Sequence, residues 1–217
     1  MALRVLIAGS SGLVGSKLLE QCLKHPDVAV VRTAGRSPGM LQHPKLEEYL
    51  VDFNQTAPFA GLPGVDAVFC CLGTTLANAG SRDAFKKVDH DYVMALATWA
   101  REAGCTAFHL VSAVGADAAS PIFYSRVKGE VERDIKALNF RTTVIYQPSL
   151  LIGPRKDRRL GEAIAQRTLP LFSPLMVGPL ALYKPITADQ LATTMLRTAL
   201  KPQQGVHVLF GHELFSA

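Results

Sequence analysis

The fold of this chain is decided near its start by the stretch RVLIAGSSGLVGSKLLEQCL, residues 4–23. Its first five residues are almost all apolar, which favours a buried strand. Beyond the glycines, Val14, Leu18 and Cys22 recur every four residues, as on one face of a helix. Pro26 ends this helix, because a proline has no amide hydrogen to donate and its ring blocks the preceding turn. The stretch predicts a strand, a tight glycine turn and a helix.

The same alternation of apolar runs and helical periodicity continues along the chain. Buried strands that alternate with amphipathic helices pair in parallel, because each helix carries the chain back across one face of the sheet. We predict a doubly wound α/β sheet of the Rossmann type in a single domain over residues 1–217, with a small carboxy-terminal extension on the substrate side. Further strands are predicted at residues 28–33, 49–53, 65–72, 107–112, 142–146 and 206–210, and further helices at residues 83–103, 124–138 and 187–201.

Two of these helices carry sharper predictions. The sequence Thr-Ala-Asp-Gln at residues 187–190 predicts a capping box, in which Thr187 and Gln190 satisfy amides at the start of a helix. In the helix at residues 83–103 the apolar side chains step by three or four, which predicts a stripe that faces the sheet. The predicted stripe consists of Phe85, Val88, Tyr92, Ala95, Trp99 and Ala103.

Charge and composition argue against several partners. The chain has 217 residues, 48% of them hydrophobic, and a net charge of +5. The basic residues are mostly interleaved with apolar and acidic ones, so we do not expect a nucleic-acid partner. Four cysteines without metal-ligand spacing predict reduced core thiols and no metal site. One dense basic cluster is interpreted as a solvated loop or as a site for an anionic ligand: Arg155, Lys156, Arg158 and Arg159.

The apolar start of the chain predicts a location. Residues 1–8 are too short for a membrane span, and they run into glycines where a signal peptide needs more apolar length. We therefore expect a cytosolic protein that does not insert into a membrane.

The glycine turn predicts a dinucleotide site. Gly9, Gly12 and Gly15 lie between the first strand and its helix, in the spacing G-x-x-G-x-x-G. Such glycines permit a tight turn and a close approach of phosphate to backbone, and the helix start presents free amides to the anion. The commoner spacing is G-x-G-x-x-G, and a purely structural turn is the alternative.

The second strand favours NADP over NAD. NAD-preferring proteins usually carry a carboxylate there for the ribose hydroxyls. Residues 28–40 contain Arg32 and Arg36 and no acidic side chain. A cation suits a 2'-phosphate, and Arg36 is the favoured contact because it follows the strand. The alternative is a solvated surface arginine.

Three further residues suggest chemistry on a carbonyl or alcohol. Tyr124 and Lys128 lie one helical turn apart on the same face. A phenol is a poor acid or base at neutral pH, but a nearby cation stabilises its ionised form. Lys128 is also placed to hold the nicotinamide ribose hydroxyls, and Ser112, at the end of a strand, to bond a substrate carbonyl oxygen. Chance spacing on an amphipathic helix is the alternative for the Tyr124–Lys128 pair.

With these motifs in hand, the chain resembles the atypical short-chain dehydrogenase/reductase family, and within it the Tat-interacting protein oxidoreductase group. The resemblance covers nearly the whole chain. It is carried by IAGSSGLVG at residues 7–15, AGRS at 34–37, CCLGTT at 70–75, VDHDYV at 88–93, LVSAVGAD at 110–117 and YSRVKGEVE at 124–132.

The resemblance implies a set of site residues. Ser112, Tyr124 and Lys128 match the catalytic positions of the family. Ala113, Asp89 and Gln147 depart from the family, where many members have a second serine, an asparagine used in proton relay and an arginine. By similarity, NADP(H) is held by Gly9, Ser11, Gly12, Leu13, Val14, Gly15 and Arg36, by Asp52 and Phe53 near the adenine, by Cys71, Leu72 and Gly73, by Tyr124 and Lys128, and by Gln147, Pro148, Ser149 and Leu150 beside the nicotinamide.

Three functions remain open at this point. The first is an NADP-dependent oxidoreductase that acts on a small carbonyl or alcohol. The second is an NADP(H)-binding regulatory or interaction module with little turnover, which has a protein partner or forms a homodimer. The third is nucleotide-sugar epimerisation or dehydration, against which residues 151–185 offer little room for a substrate lobe. The apolar segment at residues 170–179 is predicted to form a pocket wall, a subunit contact or core packing, His109 to be a core histidine and His90 to lie on a helix surface.

Overall fold

The computed structural model describes residues 2–39, 41–153 and 184–216 of the chain. Seven parallel strands form one sheet in the order β3-β2-β1-β4-β5-β6-β9, and β7 pairs in parallel with β8 in a small second sheet. The predicted α/β class and Rossmann-type arrangement are thus confirmed. The strands are β1 Leu3–Ala8, β2 Val28–Gly35, β3 Leu46–Leu50, β4 Ala67–Cys70, β5 Ala107–Val111, β6 Thr142–Gln147, β7 Leu151–Ile152, β8 Ile186–Thr187 and β9 Gly205–Phe210.

Helices cover both faces of the sheet. In β1, Val5 and Ile7 pack into one apolar layer, and Leu6 and Ala8 pack into the other. A central parallel strand is buried on both faces in this way, which explains its uninterrupted apolar sequence. The helices are α1 Leu13–Lys24, α2 Leu76–Ala79, α3 Arg82–Lys86, α4 Tyr92–Glu102, α5 Phe123–Ala137, α6 Ala188–Leu200 and α7 Glu213–Ser216, with a π-turn at Lys87–Asp91.

The capping box at the start of α6 is confirmed. The Thr187 hydroxyl accepts a hydrogen bond from the Gln190 backbone amide at 3.1 Å, and the Gln190 side chain accepts one from the Thr187 amide at 3.1 Å. This cap fixes the residue at which α6 begins. Because α6 packs on α1, it also fixes where the carboxy-terminal part of the chain meets the first helix.

The apolar stripe predicted for residues 83–103 is confirmed only in part: Phe85 is buried, and Tyr92, Ala95 and Trp99 are half-buried against the core, one position away from the fully buried face. The buried side chains there are Phe85, Asp89, Val93, Leu96, Ala97 and Ala100, whereas Ala103 is exposed. The reason is the π-turn, which takes more residues per turn than an α-helix and so moves the buried face by one position. This shift brings Asp89, a charged residue, into the interior.

The third strand also differs from its prediction. The apolar run at residues 49–53 predicted it there, but β3 ends at Leu50, and its side chains are mostly exposed because it forms an edge of the sheet. Val51 and Phe53 are buried in the segment that follows. The apolar residues that predicted the strand are therefore buried in the loop that follows it.

Candidate active site

The glycine turn lies where the sheet topology reverses. The chain passes from β3 back across β1 to β4, so a crevice opens at the carboxyl end of β1, the usual place for a ligand in such sheets. Gly9 follows β1 directly and has φ +83°. A Cβ on Gly9 would lie 2.6 Å from the Cys71 carbonyl oxygen, and one on Gly15 would lie 2.2 Å from the Gly9 carbonyl oxygen. Side chains are excluded from both positions, which keeps the backbone accessible.

The start of α1 suits an anion. Its N-cap, Gly12, has no side chain to cap the first amides, and the first turn contains no acidic residue. Uncapped amides and the helix dipole together favour a phosphate. These features fit the diphosphate of a dinucleotide.

The two arginines of the second strand have different surroundings. Arg32 is buried, and its guanidinium donates to Glu47 at 2.7 Å and to the Gly64 carbonyl oxygen at 2.9 Å. Arg36 lies just past the end of β2, is exposed, and makes no hydrogen bond or ion pair with another described residue. Arg32 is therefore committed to holding β2 against β3, and Arg36 remains open to solvent.

The residues predicted near the adenine follow the neighbouring strand. Asp52 is exposed after β3 and accepts hydrogen bonds from the backbone and side chain of Asn54 at 3.0 and 3.1 Å. Phe53 is buried against the rings of Phe59 and Tyr92, with centroids 5.6 and 5.1 Å away. These contacts place Asp52 at the same edge of the sheet as the glycine turn, since the carboxyl ends of parallel strands meet there.

Lys128 is the most constrained side chain of the site. It lies on α5, and its side chain is only 8% exposed. Its ammonium is 2.7 Å from a carboxylate oxygen of Asp89, whose side chain is fully buried, and the other Asp89 oxygen accepts the Thr74 amide at 2.8 Å. A Cβ on Gly73 would lie 3.9 Å from the Lys128 nitrogen, so the loop after β4 passes close to the ammonium.

The charges around Lys128 keep it protonated. Burial by itself lowers the pKa of Lys128, but the neighbouring Asp89 and Tyr124 outweigh burial and hold that pKa above its ordinary value. Tyr124, one turn earlier on α5, is half-buried, and its ring lies 5.6 Å from that of Phe85. Tyr124 and Lys128 are thus close enough to interact electrostatically, as the spacing predicted.

Ser112 belongs to a second buried polar cluster. Its hydroxyl donates to Glu132 at 2.5 Å, and the side-chain amide of Gln147 donates to both oxygens of the same carboxylate at 2.9 and 3.1 Å. Glu132 lies four residues after Lys128 on α5, hence on the same face of the helix. The cluster joins the ends of β5 and β6 to the helix that carries Tyr124 and Lys128.

The loop between β5 and α5 packs tightly on that helix. A Cβ on Gly129 would lie 2.1 Å from the Ala118 backbone nitrogen and 2.2 Å from the Asp117 carbonyl carbon. The Asp117 amide also donates to the Ser125 carbonyl oxygen at 3.0 Å. This close approach sets the distance between Ser112, which precedes the loop, and α5.

The remaining residues implied by the resemblance lie at the same edge of the sheet. The segment after β4 is tied to β1, since the Cys71 amide donates to the Ala8 carbonyl oxygen at 2.9 Å. The segment after β6 is tied to the loop after β5, because the Pro148 carbonyl oxygen accepts the Val114 amide at 3.1 Å. Ser149 donates to the Lys184 carbonyl oxygen at 2.8 Å. The segments 71–73 and 147–150 thus flank the site built around Lys128 and Ser112.

Two site residues were missed from the sequence. Glu132 was part of the motif YSRVKGEVE, and its spacing from Lys128 was the available signal. Asp89 departs from the residue common in the family, and an acidic residue inside a helical pattern predicts a surface position. Their partners, Ser112 and Lys128, lie 20 and 39 residues away in sequence.

The histidines lie outside this site. His109 is fully buried in β5, where one ring nitrogen bonds the Tyr146 hydroxyl at 2.9 Å, and burial lowers its pKa to about 3. It is a core histidine, as predicted. His90 is less exposed than predicted for a helix surface: its ring bonds Asp91 at 2.8 Å and Asp134 at 3.0 Å, and its side chain is 17% exposed.

The cysteines are free thiols, and Cys22, Cys70 and Cys105 are buried. Burial raises the pKa of Cys22 and of Cys70 to about 12, so neither is a nucleophile at neutral pH. No three histidine, cysteine or acidic side chains within residues 2–39, 41–153 and 184–216 are arranged to hold a metal ion. Among the helices of this part of the chain, none is long and apolar enough to cross a membrane. The basic cluster at residues 155–159 and the apolar segment at residues 170–179 lie outside the described residues.

A family model described as NAD(P)H-binding matches residues 9–168, from the first glycine of the turn onward. The chain belongs to this NAD(P)H-binding family. Protein HTATIP2 of Rattus norvegicus is 36% identical over 167 residues, covering 75% of this chain and 69% of that protein. Protein FMP52 of Eremothecium gossypii is 35% identical over 159 residues, covering 73% of this chain and 71% of that protein. The resemblance inferred from the sequence motifs is confirmed.

Among solved structures, this NAD(P)H-binding chain is similar in fold to MoeE5 in complex with UDP-glucuronic acid and NAD. The TM-score is 0.73 at 17% identity, and the match covers 98% of this chain and 80% of that chain. At that identity the similarity concerns the fold alone. It agrees with the parallel sheet described above.

One prediction from the sequence is overturned by these relatives. The FMP52 proteins of Eremothecium gossypii, Emericella nidulans and Aspergillus fumigatus are named as mitochondrial, at 34–36% identity to this chain. The prediction of a cytosolic location is therefore wrong. The length of an apolar run tests only for a membrane span or a secretory signal. The apolar length of residues 1–8 therefore could not indicate whether the protein is mitochondrial.

Proposed function

We propose that this chain is an NADP(H)-dependent oxidoreductase that interconverts a small carbonyl compound and its alcohol. The observation that carries the proposal is that one helix, α5, carries both Tyr124 and the buried Lys128, and that Ser112 is hydrogen-bonded to the same helix through Glu132. Membership of the NAD(P)H-binding family supports the cofactor.

In this proposal the turn at residues 9–15 and the start of α1 hold the diphosphate, since they offer amides without side chains. Arg36 contacts the 2'-phosphate, because it is exposed just beyond β2 and has no partner among the described residues. Arg32 takes no part, because Glu47 and the Gly64 carbonyl oxygen already engage it. Segments 71–73 and 147–150 flank the nicotinamide half.

The proton steps fall to this chain's own side chains. When bound, the cofactor supplies or accepts a hydride. Tyr124 transfers a proton at its hydroxyl oxygen to or from the substrate oxygen, and the Lys128 ammonium stabilises the phenolate and holds the ribose hydroxyls. Ser112 bonds the substrate oxygen. Its single hydroxyl hydrogen is donated to Glu132, so donation to a carbonyl oxygen requires the hydroxyl to turn away from that carboxylate.

Cofactor titration tests the first half of this proposal. Purified protein is titrated with NADPH and with NADH, and the cofactor fluorescence is followed. We expect tight binding of NADPH and much weaker binding of NADH. Equal affinity for both would refute the role of Arg36, and binding of neither would refute the cofactor site.

Turnover tests the second half. A panel of small aldehydes and ketones is screened for loss of NADPH absorbance, and Tyr124→Phe is compared with Tyr49→Phe. Tyr49 lies on the edge strand and donates to Glu47, so it serves as a matched control. We expect Tyr124→Phe to keep its NADPH affinity and to lose at least about a hundredfold in kcat. A Tyr124→Phe protein with unchanged turnover would contradict the assignment.

A second candidate function is an NADP(H)-binding interaction module with little turnover. The hydrogen bond from Ser112 to Glu132 favours it, since it engages the hydroxyl hydrogen that a substrate carbonyl oxygen would need. This candidate predicts NADPH-dependent capture of a protein partner or a second copy of the chain. Carbonyl-dependent oxidation of NADPH that is lost in Tyr124→Phe would exclude it.

A further inference from the structure

The cation beside Tyr124 is one half of a buried ion pair. The Lys128 nitrogen and an Asp89 oxygen are 2.7 Å apart, with side chains 8% and 0% exposed. The same Asp89 carboxylate accepts the Thr74 amide at 2.8 Å. Asp89 therefore ties the ammonium on α5 to the loop after β4.

The π-turn is what brings Asp89 to this place. Phe85 and Val93, four residues before and after it, are both buried, so Asp89 occupies a position that an apolar side chain would otherwise fill. A buried carboxylate or ammonium that loses its partner is strongly destabilising. Each of the two charges is therefore tolerated in the interior because of the other.

Asp89 also sets the protonation of Lys128. The titratable groups that act on Lys128 are Asp89 on the π-turn, Tyr124 one turn earlier on α5, and Cys70 at the end of β4. Burial is the largest single influence on the pKa of Lys128 and lowers it, whereas Asp89 is the largest influence that raises it. Removal of the carboxylate should therefore lower the pKa of Lys128.

We propose that Asp89 is a positioning residue of the site: it fixes the Lys128 nitrogen against the loop of Thr74 and keeps that nitrogen protonated for the cofactor ribose and Tyr124. The inference rests on the proposed function for its purpose, and on the ion pair for its geometry. It gives the π-turn a role in binding the cofactor ribose through Lys128, whereas the glycine turn holds the diphosphate.

The test is a titration of Lys128 in the full chain without cofactor. Lysine is labelled with ¹³C at Cε, the Lys128 resonance is assigned with Lys128→Arg, and its shift is followed with pH. We expect Lys128 to stay charged up to its ordinary pKa of 10.5 in the unsubstituted protein. In Asp89→Asn the midpoint falls by about two pH units or more. Asp91→Asn, which removes an exposed carboxylate of the same π-turn, leaves it unchanged.

Two results would overturn the inference. One is an Asp89→Asn midpoint equal to that of Asp91→Asn. The other is a Lys128 midpoint below 10.5 in the unsubstituted protein, which needs no variant and so decides the matter if Asp89→Asn does not fold.

The cofactor readout separates this inference from the proposed function. We expect the NADPH affinity of the unsubstituted protein to be level over the pH range in which Asp89→Asn loses affinity by about tenfold, as its Lys128 discharges. An identical pH profile in both proteins would overturn the positioning role. Failure of the unsubstituted protein to bind NADPH would instead overturn the proposed function and leave the Lys128 titration standing.

Discussion

Alanine substitutions at Gly15 and Gly12 should separate the folding role of the glycine turn from its binding role. Gly15 lies in the first turn of α1, and a Cβ there would lie 2.2 Å from the Gly9 carbonyl oxygen and 2.8 Å from its carbon. Ordinary contact begins at 3.4 Å, and both atoms belong to the backbone, so no side chain can yield. The turn itself has to move by about 1 Å, an overpacking that typically costs 1–3 kcal/mol.

Part of this cost is offset within the helix. Alanine is favoured over glycine in a helix interior by about 1 kcal/mol. Because the overlap is with backbone atoms, the cost should lie in the upper half of its range, about 2–3 kcal/mol, and Gly15→Ala should lower the free energy of unfolding by about 1–2 kcal/mol. NADPH affinity should fall as well, because displacement of the Gly9 carbonyl changes the shape of the backbone turn that is proposed to hold the diphosphate.

Gly12→Ala is expected to behave differently. Gly12 has φ −80° and ψ 174°, which any residue adopts, and its Cβ would meet only the Gly9 carbonyl oxygen, at 3.2 Å. The free energy of unfolding should stay within about 1 kcal/mol of the unsubstituted value. The added methyl group occupies space beside the uncapped amides, so NADPH should bind at least about tenfold more weakly, or 1.4 kcal/mol.

Gly64→Ala provides the matched control for Gly12→Ala. Its Cβ would also meet a single backbone oxygen at 3.2 Å, that of Ala103, but it precedes β4 at the opposite end of the sheet. Urea denaturation measures stability, and NADPH fluorescence measures affinity. Unaltered NADPH affinity in Gly12→Ala, or unaltered stability in Gly15→Ala, would refute the reasoning about the turn.

Three further predictions follow from other parts of the molecule. Arg36→Ala should weaken NADPH binding by about tenfold and leave NADH binding unchanged, whereas Arg32→Ala should lower stability by about 1–3 kcal/mol without changing cofactor preference; the reverse pattern would exchange the two roles. Gly129→Ala should be destabilising in urea by about 1–2 kcal/mol, because its Cβ would lie 2.1 Å from the Ala118 backbone nitrogen and the preference of a helix for alanine offsets only about 1 kcal/mol; a gain in stability would show that the loop after β5 yields. Burial lowers the pKa of His109 from 6.5 to about 3, so between these two pH values the unfolded chain binds a proton at this residue and the folded chain does not. The free energy of unfolding therefore falls by about 1.4 kcal/mol for each pH unit of acidification in this range. His109→Leu should lack this part of the acid dependence, and equal slopes for both proteins would contradict the prediction.

Much of the fold could be predicted because its signals are local. The strand, turn and helix of residues 4–23 follow from burial on both faces of β1 and from the close contact of Gly15 with Gly9. The capping box at Thr187 needs only the three residues after it. Each of these features is determined within one turn or strand, so the linear pattern of the sequence contains it.

The site could be predicted only in part, for the same reason. The spacing of Tyr124 and Lys128 on one helix is local, and the structure places them together. Ser112 is predicted from its position at the end of a strand, but its hydroxyl donates a hydrogen bond to Glu132, on the next helix. Ser112 and Glu132 belong to different elements and lie 20 residues apart, so no residue spacing reports this contact.

Asp89 illustrates why the predicted apolar stripe is displaced by one position from the buried face. A stripe is assigned by choosing apolar residues at a fixed period, so a charged residue is never selected for the buried face. Burial of Asp89 is favourable because Lys128, carried in from another helix, lies within 2.7 Å of it. The energetic reason for the π-turn is therefore outside the helix in which the turn occurs. Irregular helix geometry of this kind concentrates at functional sites, and here the residue it brings inward is the one that the ammonium beside Tyr124 requires.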